Sequence, residues 1–579
     1  MGFDLIRDST VGQIINYLSS GRILPYPEQL PGYVVPRRYL AAPSDEERQK
    51  ELSGDTTPSA SSSLATLTAA PGSRPTIPGP LMTPASIATL TEAQAEVTEK
   101  PTDHGDVADP FLVDWEENDP EHPRNWSSRK RIFVAFSISL LTFSVYIGSA
   151  IYTSSIPGLM VEFNISLVTA TLGLTLYVLA YGIGPMFLTP LQELPLLGRN
   201  PVYMITLFLW VILQIPIVTA KNFNTILAMR FLTGLFGSPA LATGGASMGD
   251  IFDESKHPYA IGVWSLAAVQ GPILGPVIGG FAAQAESWKW PILELIWLGS
   301  FSFVFLCLFL PETHGPTILI RRAKRLRALT GNMELKTATE RADQTITLGS
   351  QVYTALVEPL IISFEPVVLF CDVYMGFVYA MFYLWFEAFP LVFTDIYHFN
   401  QGVGGLPFLG FMVTGTVTYG LYCLYNIYHI NPRIARAAAD NKELAPEVKL
   451  EIGLFGSIFI PTSILIFGFT SKASIHWIVS VIGASLYLPG IYLIFQSLAN
   501  YLTTAYPGHE ASVLAANALY RSVIASVFPL FGRPFFRNLG LGPGSALLAG
   551  LAFLLMGLYW VLLKYAHIMR KRSKFARSD

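Results

Sequence analysis

Twelve stretches of this chain are apolar for long enough to cross a lipid bilayer: about 132–152, 167–190, 201–219, 224–248, 259–283, 290–310, 366–390, 403–429, 452–470, 475–499, 511–531 and 544–565. A hydrocarbon core about 30 Å thick is crossed by a helix of about 20 apolar residues. In lipid every backbone N–H and C=O must be paired internally, so runs of this length fold as helices. Composition agrees. Only 14% of the residues are charged, against about 25% in soluble proteins. The sequence therefore predicts an all-α membrane protein with twelve transmembrane helices.

The helices are grouped. A polar N-terminal region, 1–131, precedes six spans over 132–310. A long loop, 311–365, separates them from six more over 366–565, and a basic tail, 566–579, follows. Two sets of six predict two six-helix bundles facing a central cavity, as in transporters built from repeats. Basic clusters mark one side of the membrane: "SSRKR" before span 1, "RRAKRLR" after span 6, "NPRIAR" after span 8 and "RKRSKFAR" at the end. The positive-inside rule then puts both termini and the 311–365 loop in the cytoplasm.

Within the N-terminal region, Val11, Ile14, Ile15 and Leu18 recur at helical spacing after Ser9 and Thr10, a plausible cap. This short amphipathic helix either lies on the membrane surface or docks on the protein's own cytoplasmic face. Residues 41–109 contain "TPSASSSLATLTAAPGSRPTIPGP", a disordered linker with too little apolar surface to fold alone. No apolar h-region occurs near Met1, so a signal peptide is not expected. "MGFDLI" has Ile6 where a myristoylation site needs Ser or Thr.

Several function classes lack their chemistry here. Net charge is −3, so no basic field invites nucleic acid. No Gly-Lys dipeptide occurs, so there is no Walker A loop and no ATP site. Neither GxSxG nor HExxH is present, and His476 and His509 stand alone. Cys307, Cys371 and Cys423 are odd in number and form no CxxC, so neither a disulfide framework nor a metal site is expected.

Span 5 carries "GPILGPVIGG". Gly271, Gly275 and Gly279 are spaced by four and form one bare stripe; Pro272 and Pro276 form a second beside it, with Gly280 at its end. In a soluble helix each such Gly costs roughly 1 kcal/mol and each Pro about 3 kcal/mol against Ala. In a membrane a bare stripe lets another helix approach closely. The spacing predicts a helix built to press against a neighbour.

Polar groups inside spans are the other signal. Arg230 lies inside span 4, where an arginine costs at least ~2.5 kcal/mol and must face a cavity or a partner. Glu294 in span 6 and Glu387 in span 7 are candidate proton carriers, and either is equally readable as an interfacial residue. Tyr379, Tyr383 and Glu387 recur every four residues and share one helix face. Tyr492 and Gln496 in span 10, and Asn517 and Arg521 in span 11, are similar pairs. Tyr146 in span 1 joins the candidate cavity residues.

At these residues the chain resembles the fungal drug:proton antiporters of the major facilitator superfamily. "GPILGPVIGG" is similar to that family's antiporter motif. "PLQELPLLGRNPVY" resembles its loop between spans 2 and 3: Gly198, Arg199, Pro201 and Val202 match the end, and Glu193 stands near the usual acidic position. Its first half departs from the common Gly-x-Leu-x-Asp form. "RFLTGLFGSPALATGGASMGD" resembles the family's arginine motif in span 4, and "DWEENDPEHPRNW" its lead-in to span 1. "RDSTVGQIINYLSSGRILPYPEQLP" resembles the fluconazole, benomyl and methotrexate exporter subgroup.

The resemblance implies the major facilitator fold, with spans 1, 4, 7 and 10 lining the cavity. It implies export of lipophilic or cationic drugs, with the proton as coupling ion and no other cofactor. Arg230 would serve proton coupling, and Glu193, Gly198 and Arg199 a cytoplasmic gate. A monomer in the plasma membrane is expected, with the vacuolar membrane as alternative. An exporter of an endogenous secondary metabolite or polyamine is the rival reading, and a multispan membrane enzyme a remote one.

Overall fold

The computed structural model describes residues 2–19, 21–30, 32–36, 39, 111–253, 256–342, 348–440, 444–507 and 509–576. The linker expected over 41–109 lies outside them. Among the described residues there is no β-strand, only two isolated bridges. Twelve helices are long and apolar enough to span a membrane. Spans 1–6 are Ser128–Phe163, Leu167–Glu193, Arg199–Val218, Phe223–Ile251, His257–Ala285 and Trp290–Phe309. Spans 7–12 are Pro366–Thr394, Val403–Ala439, Pro446–Thr470, Trp477–Ala505, Ser512–Leu539 and Leu541–Arg570. An even number of crossings puts both ends of the chain on one side, called here the near side.

Local chemistry starts several spans. Ser127 Oγ accepts from Lys130 N at the head of span 1, Ser166 from Thr169 N at span 2, and Asn222 from Thr225 N at span 4. These side chains pair N–H groups that a helix start leaves free. Some helices overrun the sequence-based limits. Span 1 continues through a tight turn at Ile151–Ser155 into Ile156–Phe163, and span 8 runs on to Ala439. Hydropathy marks where lipid ends, whereas backbone pairing continues beyond it. Pro272 and Pro276 sit inside one unbroken helix, His257–Ala285.

The two bundles bury different faces. Spans 6, 8 and 12 leave large apolar side chains exposed, among them Trp297, Phe301, Val413, Leu421, Leu554 and Trp560. In a bilayer such faces meet acyl chains. Span 7 is enclosed: Val378, Phe382, Tyr383, Phe386 and Phe389 are all buried. It packs between span 11, span 10 and the first bundle.

Near-side helices pack beneath the spans, the last of them chiefly against span 11 of the second bundle. Helix α1 is Gly2–Asp8, α2 is Thr10–Leu18, α3 is Gly315–Thr330 and α4 is Leu348–Ser363. Ser9 caps α2 as expected, accepting from Gly12 N at 3.2 Å. Gly12 packs on the backbone of α1, and Asn16 donates to Leu24 O and Gln29 Oε1. Thr10 bonds Asn200 (2.9 Å), Asp8 pairs with Lys130 (3.1 Å), and Ile14, Tyr17 and Leu18 stay exposed. The helix thus contacts the protein's own near-side face through Thr10 and Asn200, while its exposed apolar residues point away from it. All four arginines of "RRAKRLR" are also held internally, Arg321 by Glu312 and Arg327 by Glu340. Arg325 pairs with Glu28 (3.1 Å) and Glu121 (3.0 Å); Arg322 pairs with Glu28 (3.3 Å) and Asp119.

Candidate functional site

A narrow cavity of about 70 Å³ lies between the bundles, smaller in this conformation than the ~300–1,000 Å³ of a drug-sized pocket. Its wall is apolar and aromatic. Tyr146 comes from span 1, Trp264 from span 5, Tyr379 and Phe382 from span 7, and Tyr492 and Phe495 from span 10. Leu241 of span 4 and Arg521 of span 11 complete it. Spans 1, 4, 7 and 10 line it as the resemblance implies; spans 5 and 11 line it too. Arg521 supplies a positive charge, its guanidinium 4.9 Å from the Tyr379 ring and 5.0 Å from the Phe495 ring.

The tyrosines of span 7 do more than line a wall. Tyr379 Oη lies 2.8 Å from Tyr181 Oη, Tyr181 Oη lies 3.0 Å from Tyr383 Oη, and Tyr383 Oη donates to Ser149 Oγ at 3.2 Å. This chain of hydroxyls ties spans 1 and 2 to span 7, across the bundle boundary. Tyr383 is fully enclosed in it rather than lining the cavity. Gln496 also stands behind the wall, donating to Ser265 Oγ at 3.1 Å.

Bonds between the bundles occur on both sides of the cavity. Toward the far side, Gln401 donates to Ser154 O (2.6 Å) and Gly402 N to Gln284 Oε1 (2.8 Å). Toward the near side, Tyr492 Oη donates to Gly262 O (3.4 Å) and Asn431 to Tyr259 Oη (3.0 Å).

Arg230 is wholly buried, at 0% exposure, in the far half of span 4. Among the described residues no carboxylate pairs with it. Carbonyl oxygens of neighbouring spans take its donors instead: Gly148 O at 2.8 Å and Gly173 O at 3.1 Å. The guanidinium is sandwiched between Tyr152 (4.6 Å) and Tyr177 (4.2 Å). Ser149, which ends the hydroxyl chain, is the residue after Gly148, so Arg230 and the chain meet at span 1.

The stripe on span 5 presses on span 1 of the same bundle. A Cβ on Gly275 would lie 2.6 Å from Ile151 N, and one on Gly271 would lie 2.9 Å from Ile147 N. Gly279 faces the Ile151 side chain. The other bundle is met on a different side. A Cβ on Gly280 would lie 2.9 Å from Gln401 O, and Gly405 closes on Pro276 O. Pro272 borders the cavity.

At the near end of span 3 the structure selects different acids from the one expected. Arg199 pairs with Asp250 of span 4 (Nε to Oδ2, 3.1 Å). The carboxylate of Glu312 accepts from Arg199 N (3.1 Å), Thr313 N (3.0 Å) and His314 N (3.1 Å). That is an anion on a helix N-terminus, where the backbone dipole favours it. Gly198 has φ +77°, and a side chain there would run into Glu312. Glu193 ends span 2 nearby without an ion pair to Arg199.

Glu387 is buried near the far end of span 7, beside the backbone of span 11: a Cβ on Gly532 would lie 3.2 Å from its Cβ. It stands beyond the cavity rather than in its wall. Glu294 faces away from the cavity on span 6, and its Oε2 has no hydrogen-bond partner among the described residues. The sequence reading passed over a third acid, Asp372. It shares a face of span 7 with Met375 and Tyr379, and that spacing was the available signal.

Two bundles of six spans around an aromatic cavity are the architecture of a membrane transporter. The sequence profile of the Major Facilitator Superfamily matches residues 138–529, and the chain belongs to that family. It is 39% identical to Fluconazole resistance protein 1 of Saccharomyces cerevisiae, over 81% of this chain and 84% of that one. It is 36% identical to the Cycloheximide resistance protein of Candida maltosa, over 99% of each. The proton:xylose symporter XylE shares the fold alone, with a TM-score of 0.53 and 12% identity, over 76% of this chain and 97% of its own.

Proposed function

We propose that this multi-pass membrane protein exports drugs and other xenobiotics by alternating access, driven by an inward proton gradient. The observation that carries the reading is the cavity. It is apolar, aromatic, and set between two layers of bonds that join the bundles. Rocking the bundles would break one layer at a time and expose the cavity to each side in turn. The names of the two fungal relatives, both resistance proteins, support drugs as the cargo. Flat aromatic walls suit lipophilic molecules and, through their ring faces, cations.

The proton is the coupling ion in this reading. Arg230 and Glu387 are the groups proposed to respond to it, while Glu294, outside the cavity, acts as an interfacial acid. Arg199 and Gly198, with Asp250 and Glu312 as their acidic partners and Glu193 beside them, belong to the near-side gate. The basic clusters support an orientation with both termini in the cytoplasm, and the plasma membrane is the location proposed with it. One chain supplies the whole cavity wall, which supports action as a monomer.

Transport in ATP-supplied vesicles, with and without a protonophore, tests the coupling. Export that continues undiminished after the gradient is collapsed overturns it. Glu387→Gln tests the acid: loss of external-pH dependence for cationic and neutral drugs alike is expected of a carrier. Wild-type behaviour for both drugs at every pH removes Glu387 from the mechanism.

A further inference from the structure

Asp372 is 0% exposed, two turns inside the near end of span 7. One carboxylate oxygen is satisfied: Asn517 of span 11 donates to Oδ1 at 2.8 Å and also lies 3.3 Å from Met375 Sδ. The other oxygen, Oδ2, has no hydrogen-bond partner among the described residues. One turn further along span 11, Arg521 is 9% exposed, and its Nε is likewise without a partner. The two make no ion pair in this conformation. Each holds an unused half of one. Leaving a buried carboxylate oxygen unpaired is costly, because its desolvation is not repaid. A proton on Oδ2 removes the charge that makes it costly.

From this geometry we propose that Asp372 is a further proton-binding site of the coupling cycle, and that its protonation sets the charge that Arg521 shows to the cavity. This rests on the proton-coupled reading above and adds to Arg230 and Glu387 a group that links the proton to the cavity. With Asp372 ionised, the Asp372–Arg521 unit is neutral overall and the cavity admits a cation. When Oδ2 takes up one proton from water, the unit becomes net positive and a bound cation is repelled. The same proton leaves Oδ2 for near-side water when the bundles reopen there. Asp372 lies one turn on the near side of Met375, in the cavity wall, so it senses the cavity without contacting the cargo.

The surrounding groups leave Arg521 as the one charged neighbour among the described residues. Cys371 and Tyr374 of its own span, Tyr501 of span 10 and Tyr559 of span 12 are nearby titratable groups with ordinary pKa values above 8. On α4, Glu358 is taken by His509. The hydroxyl chain Tyr379–Tyr181–Tyr383–Ser149 links the Arg521 side to Arg230 in the other bundle. A change of charge at Asp372 thereby acts on contacts that must break when the bundles rock.

The test uses the full-length protein, purified and reconstituted, with one fluorescent lipophilic cation and one neutral drug. For wild type, the cation's Kd should rise as pH falls, by up to about tenfold per pH unit for one competing proton. Asp372→Asn should flatten that slope and abolish gradient-driven export, while neutral-drug Kd stays within about threefold, which also shows that the variant is folded. Asp372→Glu should keep a slope. In wild type, adding the cation should remove the infrared band of a protonated carboxyl. A folded Asp372→Asn that retains the wild-type slope overturns the proposal. So does the absence of any carboxyl change in wild type, whether or not the variants fold. Should wild-type export ignore collapse of the gradient, the coupling reading fails separately, and the binding slope still judges Asp372.

Discussion

Arg230 is held by carbonyl oxygens and aromatic faces, and this sets what can replace it. A planar guanidinium reaches Gly148 O and Gly173 O at once while its flat faces contact Tyr152 and Tyr177. An ammonium keeps the charge but has neither the fork nor the face. Arg230→Lys should lower efflux by tenfold or more, about 1.4 kcal/mol in coupling, at unchanged membrane abundance. Wild-type efflux across external pH would show that a point charge suffices. Gly275 is constrained by backbone rather than by chemistry. With a Cβ only 2.6 Å from Ile151 N, Gly275→Leu must push spans 1 and 5 apart. Overpacking of this kind costs about 1–3 kcal/mol. A lower melting temperature together with lost efflux is expected, and an unchanged value of both would mean that the stripe has slack.

At the scale of elements, the turn that follows span 6 ties several pieces to the gate. Glu312 binds the N-terminus of span 3, Arg321 of α3 approaches it at 3.5 Å, and Arg321 also bonds Gln13 of α2 at 3.0 Å. His314 sits in the same turn, 2.8 Å from Thr317 Oγ1. Burial, then the positive charges of Arg199 and Arg321, holds its pKa down to about 4 from the ordinary 6.5. The unfolded turn therefore binds more protons than the folded one between those values. Its stability is fully present above pH 6.5 and is lost as pH falls toward 4. Amide exchange at residues 312–317, corrected for intrinsic rates, should quicken over that window, and His314→Gln should flatten the response. A response that survives the substitution would assign it to the carboxylates of the turn instead.

For the whole molecule, the defining property is that the bundles are joined on both sides of the cavity. The far-side contact offers a direct test. Gln401 and Ser154 come from different bundles, 247 residues apart in the chain, and touch at 2.6 Å. A Ser154→Cys, Gln401→Cys pair should be joined by a short reducible bis-thiol reagent that spans the length of the lost Gln401 side chain, and this should stop transport, with recovery on reduction. The single replacements, alongside the native Cys307, Cys371 and Cys423, serve as controls. Transport that continues through a complete crosslink would remove far-side opening from the cycle.

Hydropathy and spacing are local properties, and what they govern was readable in the chain itself. The count of spans, their division into six and six, the buried Arg230, the bare stripe of span 5 and the cap at Ser9 all follow from neighbours along the sequence. Partners were not readable. Glu312 meets Arg199 across 113 residues, Asp372 meets Asn517 across 145, and Tyr383 meets Ser149 across 234. Span 7 shows why. Its Tyr379–Tyr383–Glu387 face was legible, but the contacts that draw Tyr383 into the hydroxyl chain and leave Tyr379 in the cavity wall come from Tyr181 and Ser149, far away in the chain. The sequence by itself determined that this chain crosses the membrane twelve times. Only the packing of one bundle against the other decided which of its few intramembrane charges stand together, because that choice is made by contacts between helices far apart in the chain.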